Sequence, residues 1–145
     1  MFELTPAQKQ KITSVGKKYR LRFIILHGSY AVGRERQDSD IDIAVVAEHD
    51  ALREGFFDIY SELTEVFGDR KGRELDVKSL NHVDSLFRYL VLIDGILLYG
   101  NVTEYEEFKA FAFRDFMDSA DLRRLELHMT LQKQKYLDQR YSSAA

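Results

Sequence analysis

Apolar and polar residues alternate along this chain in short blocks that predict strands and helices in turn. Thr5-Pro6 reads as an N-cap with proline at the first helical position, so a helix is expected from about Pro6 to Tyr19. Leu21 to His27, built around the apolar run Phe23 to Leu26, reads as a buried strand. Tyr30 to about Arg34 is read as a turn of helix, and Asp40 to Ala47 as a second strand. From Asp50 to Phe67, Leu52, Phe56, Ile59, Leu63 and Val66 recur at helical spacing until Gly68 ends the pattern. Arg73 to Leu80 predicts a third strand, Val83 to Ile93 a leucine-rich helix, and Ile96 to Tyr99 a short fourth strand closed by Gly100-Asn101. Thr103 to about Tyr141 is helical with a break near Ser119, and the terminal Ser-Ser-Ala-Ala is expected to fray. The fold class is therefore α/β (α+β): a small mixed sheet with helices packed on it and a long C-terminal helical segment.

Period two within the strands brings in the first chemistry. In the second strand Ile41, Ile43 and Val45 share one face, and Asp40, Asp42, Ala44 and Val46 share the other. Aspartate is depleted from strands, and like charges at this spacing, roughly 6.6 Å between Cα atoms, raise each other's pKa. Two readings stay open for the pair: a turn cap beside a solvent-facing strand end, or two ligands converging on a cation. In the third strand Leu75 and Val77 share a face, and Glu74, Asp76 and Lys78 the other. If the two strands are neighbours, Asp76 joins the pair, and three carboxylates suit magnesium. Glu74 is the rival ligand, with a rim charge as its alternative. Gly28-Ser29 ends the first strand. Such a turn, opening a helix, exposes N–H groups that bind phosphate, or it is a plain connection with a capping serine. It is neither a P-loop nor a dinucleotide fingerprint, because the spacing of glycines and the Gly-Lys-Ser/Thr ending are missing.

Composition narrows the classes. The 145 residues, 45% hydrophobic, fit one domain spanning 1–145, with a core of about 20–101 and the helical segment of about 103–141. A net charge of −3 argues against broad nucleic-acid binding. Without cysteine there are no disulfides, thiolate metal sites or cysteine nucleophiles, which suits the cytoplasm. No signal peptide or membrane span is expected: the run Tyr89 to Tyr99 is interrupted by Asp94 and Gly95.

Together, Gly28-Ser29, ten residues, then Asp40-Ile41-Asp42, followed by Glu74-Leu75-Asp76-Val77, resembles the signature of the DNA polymerase β-like nucleotidyltransferase superfamily. The small size and the Ser39 to Val46 context look like its minimal nucleotidyltransferase branch, the MNT or MntA-type antitoxins. The resemblance runs from about Leu21 to Asn101 and continues more weakly into the C-terminal helix. It implies two magnesium ions held by Asp40 and Asp42, with Asp76 completing one of them. It implies ATP as substrate, with Ser29 and the Gly28 backbone on the β- and γ-phosphates. It also implies a HEPN-domain ribonuclease toxin as partner, neutralised by AMP transfer to a toxin tyrosine. A small-molecule nucleotidyltransferase of the aminoglycoside-modifying kind and a non-catalytic binding antitoxin are the competing readings.

Two features depart from the pattern. Relatives often place an arginine before the loop glycine, where this chain has Ala31-Val32-Gly33-Arg34. The basic phosphate contacts are therefore open among Arg34, Arg36, Arg73, Lys78 and Arg88, each with a solubilising role as its alternative. The segment Arg123 to Thr130 resembles a HEPN ribonuclease pattern, but Thr130 stands where tyrosine is expected, and His128 is read as a surface or interface residue. His27 either lines the site or simply ends its strand. Phe108, Phe111, Phe113, Phe116, Leu122 and Leu125 exceed what one helical face can bury, so they predict a partner surface or a helix wrapped deeply into its own domain.

Overall fold

The computed structural model describes residues 2–48 and 52–142. Asp50 and Ala51, where the second helix was expected to begin, and Ser143 to Ala145 of the tail lie outside the described residues. The elements run α1 (Pro6–Lys18), β1 (Leu21–His27), β2 (Ile41–Ala47), α2 (Leu52–Phe67), β3 (Leu75–Ser79), α3 (Ser85–Asp94), β4 (Ile96–Tyr99), α4 (Val102–Asp118) and α5 (Ala120–Ser142). The expected turn of helix after β1 is absent. Residues 29–33 form hydrogen-bonded turns instead, with the Ala31 N–H donating to Gly28 O (3.1 Å) and the Arg34 N–H to Ser29 O (2.9 Å).

Local chemistry explains the boundaries. Thr5 and Gln8 form a reciprocal capping box at the start of α1: the Gln8 N–H donates to Thr5 Oγ1 and the Thr5 N–H donates to Gln8 Oε1. Gly68, at φ 78°, supplies the left-handed residue that closes α2. Asp84 and Asn101 cap α3 and α4 by accepting from the N–H groups of Phe87 (2.9 Å) and Glu104 (3.0 Å). Ser119 separates α4 from α5, at the expected break.

The sheet order is β3-β2-β1-β4, with β2 and β3 parallel and the other two pairs antiparallel. Asn81 locks the exit of β3 to the end of β2, accepting from the Ala47 N–H (2.9 Å) and donating to Ala47 O (3.0 Å). Helices cover both faces. Ile24, Leu26, Ile41, Ile43, Val45, Leu75 and Val77 pack with Ile12 and Val15 of α1 and with Ile59 and Leu63 of α2. Phe23, Ile25, Ala44 and Val46 pack with Val91 and Leu92 of α3 and with Tyr105 and Ala112 of α4. A register shift between Leu21 and Phe23 turns Leu21 onto the α1 side, out of the alternation of its strand. The face covered by α3 and α4 is the face that carries Asp42 and Asp76. Both are only partly buried, so the two carboxylates lie at the margin of the core.

Candidate active site

The parallel register of β2 and β3 sets Asp42 directly beside Asp76, and the antiparallel register of β1 and β2 sets His27 on the other side of Asp42. One row across three strands therefore reads Asp76, Asp42, His27. Asp40 stands one residue before β2, exposed, and its Oδ1 accepts from the Glu74 N–H at 2.8 Å. The Ile41 N–H donates to Glu74 O (2.9 Å), so the backbone of Glu74 ties the two strand entrances together. Glu74 itself is exposed at the rim.

Gly28 lies over Asp42. Its φ of 71° is left-handed, and an added Cβ would stand 2.2 Å from Asp42 Oδ2. Only glycine lets the turn pass this close to the carboxylate. Ser29, half-buried, follows it at the same edge. No helix opens at Ser29, so no helix N-terminus faces a phosphate here. What remains is a run of tight turns beside the carboxylates, in which the Ala31 and Arg34 N–H groups are already used.

Electrostatics distinguish the members of the row. Burial, followed by the negative charge of Asp76, pushes the Asp42 carboxyl above its usual range; Lys78 pulls the other way and Asp40 adds to the rise. The His27 imidazole is pushed down to about 4, by burial first and then by the Lys78 charge, against a smaller opposing pull from Asp76. It is neutral at pH 7, and its Nε2 is buried without a hydrogen-bond partner. Lys78, two residues beyond Asp76, places its ammonium 2.8 Å from Asp76 Oδ2. Phe87 of α3 closes the row from above: its ring lies edge-on to His27 (6.4 Å between centroids) and 5.6 Å below the Lys78 ammonium. An adjoining cleft of about 300 Å³ is lined by His27, Gly28, Val32, Phe87, Leu90, Val91 and Asp94. The contribution of α3 was not foreseen. Its only sequence signal is the Asp84 cap, which sets where Phe87 falls on the helix.

Among the described residues, no three histidine, aspartate or glutamate side chains are gathered tightly enough to hold a metal ion. Asp40 is turned to the Glu74 N–H and Asp76 to Lys78, although Asp42 and Asp76 share one register position. The chemistry of the set nonetheless fits a hard divalent cation. All the donors are carboxylate oxygens. An ammonium already stands on Asp76, and the Asp42 carboxyl is raised by burial and then by the charge of Asp76, so positive charge at this corner offsets a cost.

The five basic candidates separate clearly. Arg73 donates to Phe67 O (2.7 Å), and Arg88 reaches Asp115 (3.2 Å) and Val83 O (3.3 Å) under the ring of Phe111, so both serve the scaffold. Arg34 and Arg36 are exposed in the loop before Asp40. Lys78 alone of the five is in the carboxylate row.

Comparison with known proteins follows this geometry. A family profile described as polymerase beta, nucleotidyltransferase matches residues 10–104. That span holds all four strands, Gly28, Ser29, Asp40, Asp42 and Asp76. No curated protein sequence matches the chain. Among solved structures, a toxin–antitoxin crystal structure with AMP-PNP superposes at a TM-score of 0.68 and 22% identity, covering 85% of this chain and 98% of that one. A chain from the complex of a tri-AMPylated Shewanella oneidensis HEPN toxin with an MNT antitoxin superposes at 0.64 and 20%, covering 86% and 97%. A chain of an MntA–HepT toxin–antitoxin structure gives 0.64 and 19%, covering 88% and 99%. At these identities the structural likeness speaks for the fold, and the profile match speaks for the lineage. With the signature residues inside the matched span, the chain belongs to the polymerase β nucleotidyltransferase family.

Proposed function

We propose that this chain is an MNT-type antitoxin: a magnesium-dependent nucleotidyltransferase that moves AMP from ATP to a hydroxyl, a tyrosine, of a HEPN ribonuclease toxin in the cytoplasm. The observation that carries the reading is the cross-strand pairing of Asp42 with Asp76 beside Asp40, at the edge where the Gly28-Ser29 turn passes. Carboxylates drawn together at the margin of a core raise the folding free energy unless something neutralises them.

In this reading Asp40, Asp42 and Asp76 hold two magnesium ions. Magnesium bound there would neutralise charge at the α-phosphate and lower the pKa of the attacking hydroxyl. The chain's own groups bind and orient. The Gly28 backbone and the Ser29 hydroxyl donate hydrogen bonds to the β- and γ-phosphates. The toxin oxygen forms a bond to the α-phosphorus as the bond to the β-phosphate oxygen breaks, so pyrophosphate leaves opposite the attack and the hydroxyl proton passes to solvent. Neutral His27 and the Phe87 ring keep water from one side of the row.

The toxin is assigned to α4 and α5. No residue of α5 is buried, and Leu122, Leu125, Leu127, Met129 and Leu131 are all more than half exposed. Phe113 and Met117 of α4 continue the apolar surface. The solved toxin–antitoxin assemblies that share this fold support the same reading. Calorimetry of ATP binding with magnesium and with chelator tests the site. Binding should be tight only with the metal, because carboxylates and triphosphate repel each other. Equal affinity in both conditions would remove the metal-site reading.

A further inference from the structure

We propose that Lys78 is the resident counter-cation of the carboxylate row, a built-in competitor that a divalent cation must displace from Asp76. The inference rests on the reading of Asp40, Asp42 and Asp76 as metal ligands, and goes beyond it in giving the protein its own control over metal uptake.

The placement is specific. Lys78 shares the face of Asp76, and across the parallel ladder it stands opposite Ala44, whose methyl group leaves room for the lysine stem to lie along the sheet. The ammonium is held between Asp76 Oδ2 at 2.8 Å and the Phe87 ring at 5.6 Å. Phe87 is itself positioned by the Asp84 cap of α3 and by its edge contact with His27. Among the described charged groups acting on Asp42, Asp76 and Asp40 are negative and Lys78 is the cation. In the metal-free protein the lysine is thus what offsets the like charges of the row.

The same pair is built to open. The lysine side chain is 48% exposed and that of Asp76 43%, and ion pairs this open to water are weak and exchange readily. A divalent cation on Asp76 would repel the ammonium at contact distance. Lys78 then has to leave, and its four-carbon stem lets it reach a new anion without moving β3. A triphosphate arriving with the metal provides that anion. Metal alone must therefore evict the lysine without compensation, whereas metal with nucleotide offers it a partner. The two ligands should bind cooperatively, through Lys78.

The test is manganese calorimetry on the full chain without nucleotide, comparing wild type with Lys78→Met, Lys78→Gln and Lys78→Arg, each checked for folding by circular dichroism. The two neutral variants should bind manganese about tenfold more tightly than wild type, as expected for removing one competing charge from a half-exposed pair. The difference should shrink as salt is raised, and Lys78→Arg should stay near wild type. At saturating manganese the neutral variants should bind ATP about tenfold more weakly, for want of one charge-assisted contact. Folded neutral variants that bind manganese no more tightly than wild type would overturn the proposal and leave the metal site standing. If neither wild type nor any variant takes up manganese, with or without ATP, the metal-site reading falls and this inference with it.

Discussion

Asp42 is the residue at which folding and chemistry conflict most sharply. Its carboxyl is pushed above the usual range by burial and then by Asp76, so ionising it costs more in the folded protein than in the unfolded chain. A group with a raised folded-state pKa contributes stability below its unfolded pKa, and that contribution is lost as pH rises through the folded value. Asp42→Asn fixes the neutral form. Without metal, the variant should melt at a higher temperature than wild type at pH 7, and the gap should close as the pH falls below about 4. Melting curves across that range check the sign. Ser29→Ala belongs to the same scale. Losing one charge-assisted phosphate bond, worth about 1.5–3 kcal/mol, should weaken ATP binding by at least tenfold while the circular dichroism stays unchanged. Unchanged affinity would make the turn purely structural. At this scale much was legible in the sequence. Alternation put Asp42 and Asp76 on one face of their strands, and the observed register pairs them. The grip of Lys78 on Asp76 and the ring of Phe87 above it were not legible, because both depend on how far α3 reaches over the sheet end.

At the scale of elements, caps and glycines punctuated the chain well. Thr5, Gly68 and Gly100-Asn101 all mark real boundaries. The segment after β1 is the exception. The Tyr30 to Arg34 stretch carries no apolar spacing able to anchor a helix, and its N–H groups are used in successive turns instead. The junction of α3, β4 and α4 offers a test independent of catalysis. Tyr105 is buried, and its hydroxyl donates to Gly95 O (3.3 Å), tying α4 to the turn between α3 and β4. Burial pushes its phenol up to about 12, with a smaller push from Glu106. Its contribution to stability is therefore complete below about pH 10 and is lost between about pH 10 and about 12, as the unfolded state ionises first. Tyr105→Phe should lose about 0.5–1.5 kcal/mol at neutral pH, the worth of one hydrogen bond. It should also escape the alkaline loss seen in wild type. Denaturant melts at pH 8 and pH 11 measure both effects. A variant whose stability falls with pH as steeply as wild type would place the alkaline transition elsewhere.

At the scale of the whole molecule, the protein divides into a sheet that carries the acids and a helical arm that carries exposed leucines. Sequence reasoning left two fates for the arm, and its halves take different ones: α4 packs Tyr105, Phe108 and Ala112 onto the sheet, whereas no residue of α5 is buried. Periodicity alone could not have settled this, since an apolar stripe looks the same whether it meets its own sheet or another chain. Leu122→Asp with Leu125→Asp places charge on that surface, far from the acids in sequence. The double variant should bind ATP as wild type does and lose the proposed HEPN partner by at least a hundredfold in a pull-down titration, as expected for disrupting a central apolar anchor. The central claim, that the acidic row performs AMP transfer, meets its most direct test in intact-mass analysis of the toxin after incubation with ATP and magnesium. Wild type should add the mass of one AMP or a multiple of it. Asp42→Asn should bind the toxin equally well yet transfer orders of magnitude more slowly, since metal electrostatics supply several kcal/mol and about 1.4 kcal/mol is tenfold in rate. If Asp42→Asn silences the toxin as fully as wild type and no AMP is found on it, the acids are not the working part of this protein and contact alone is.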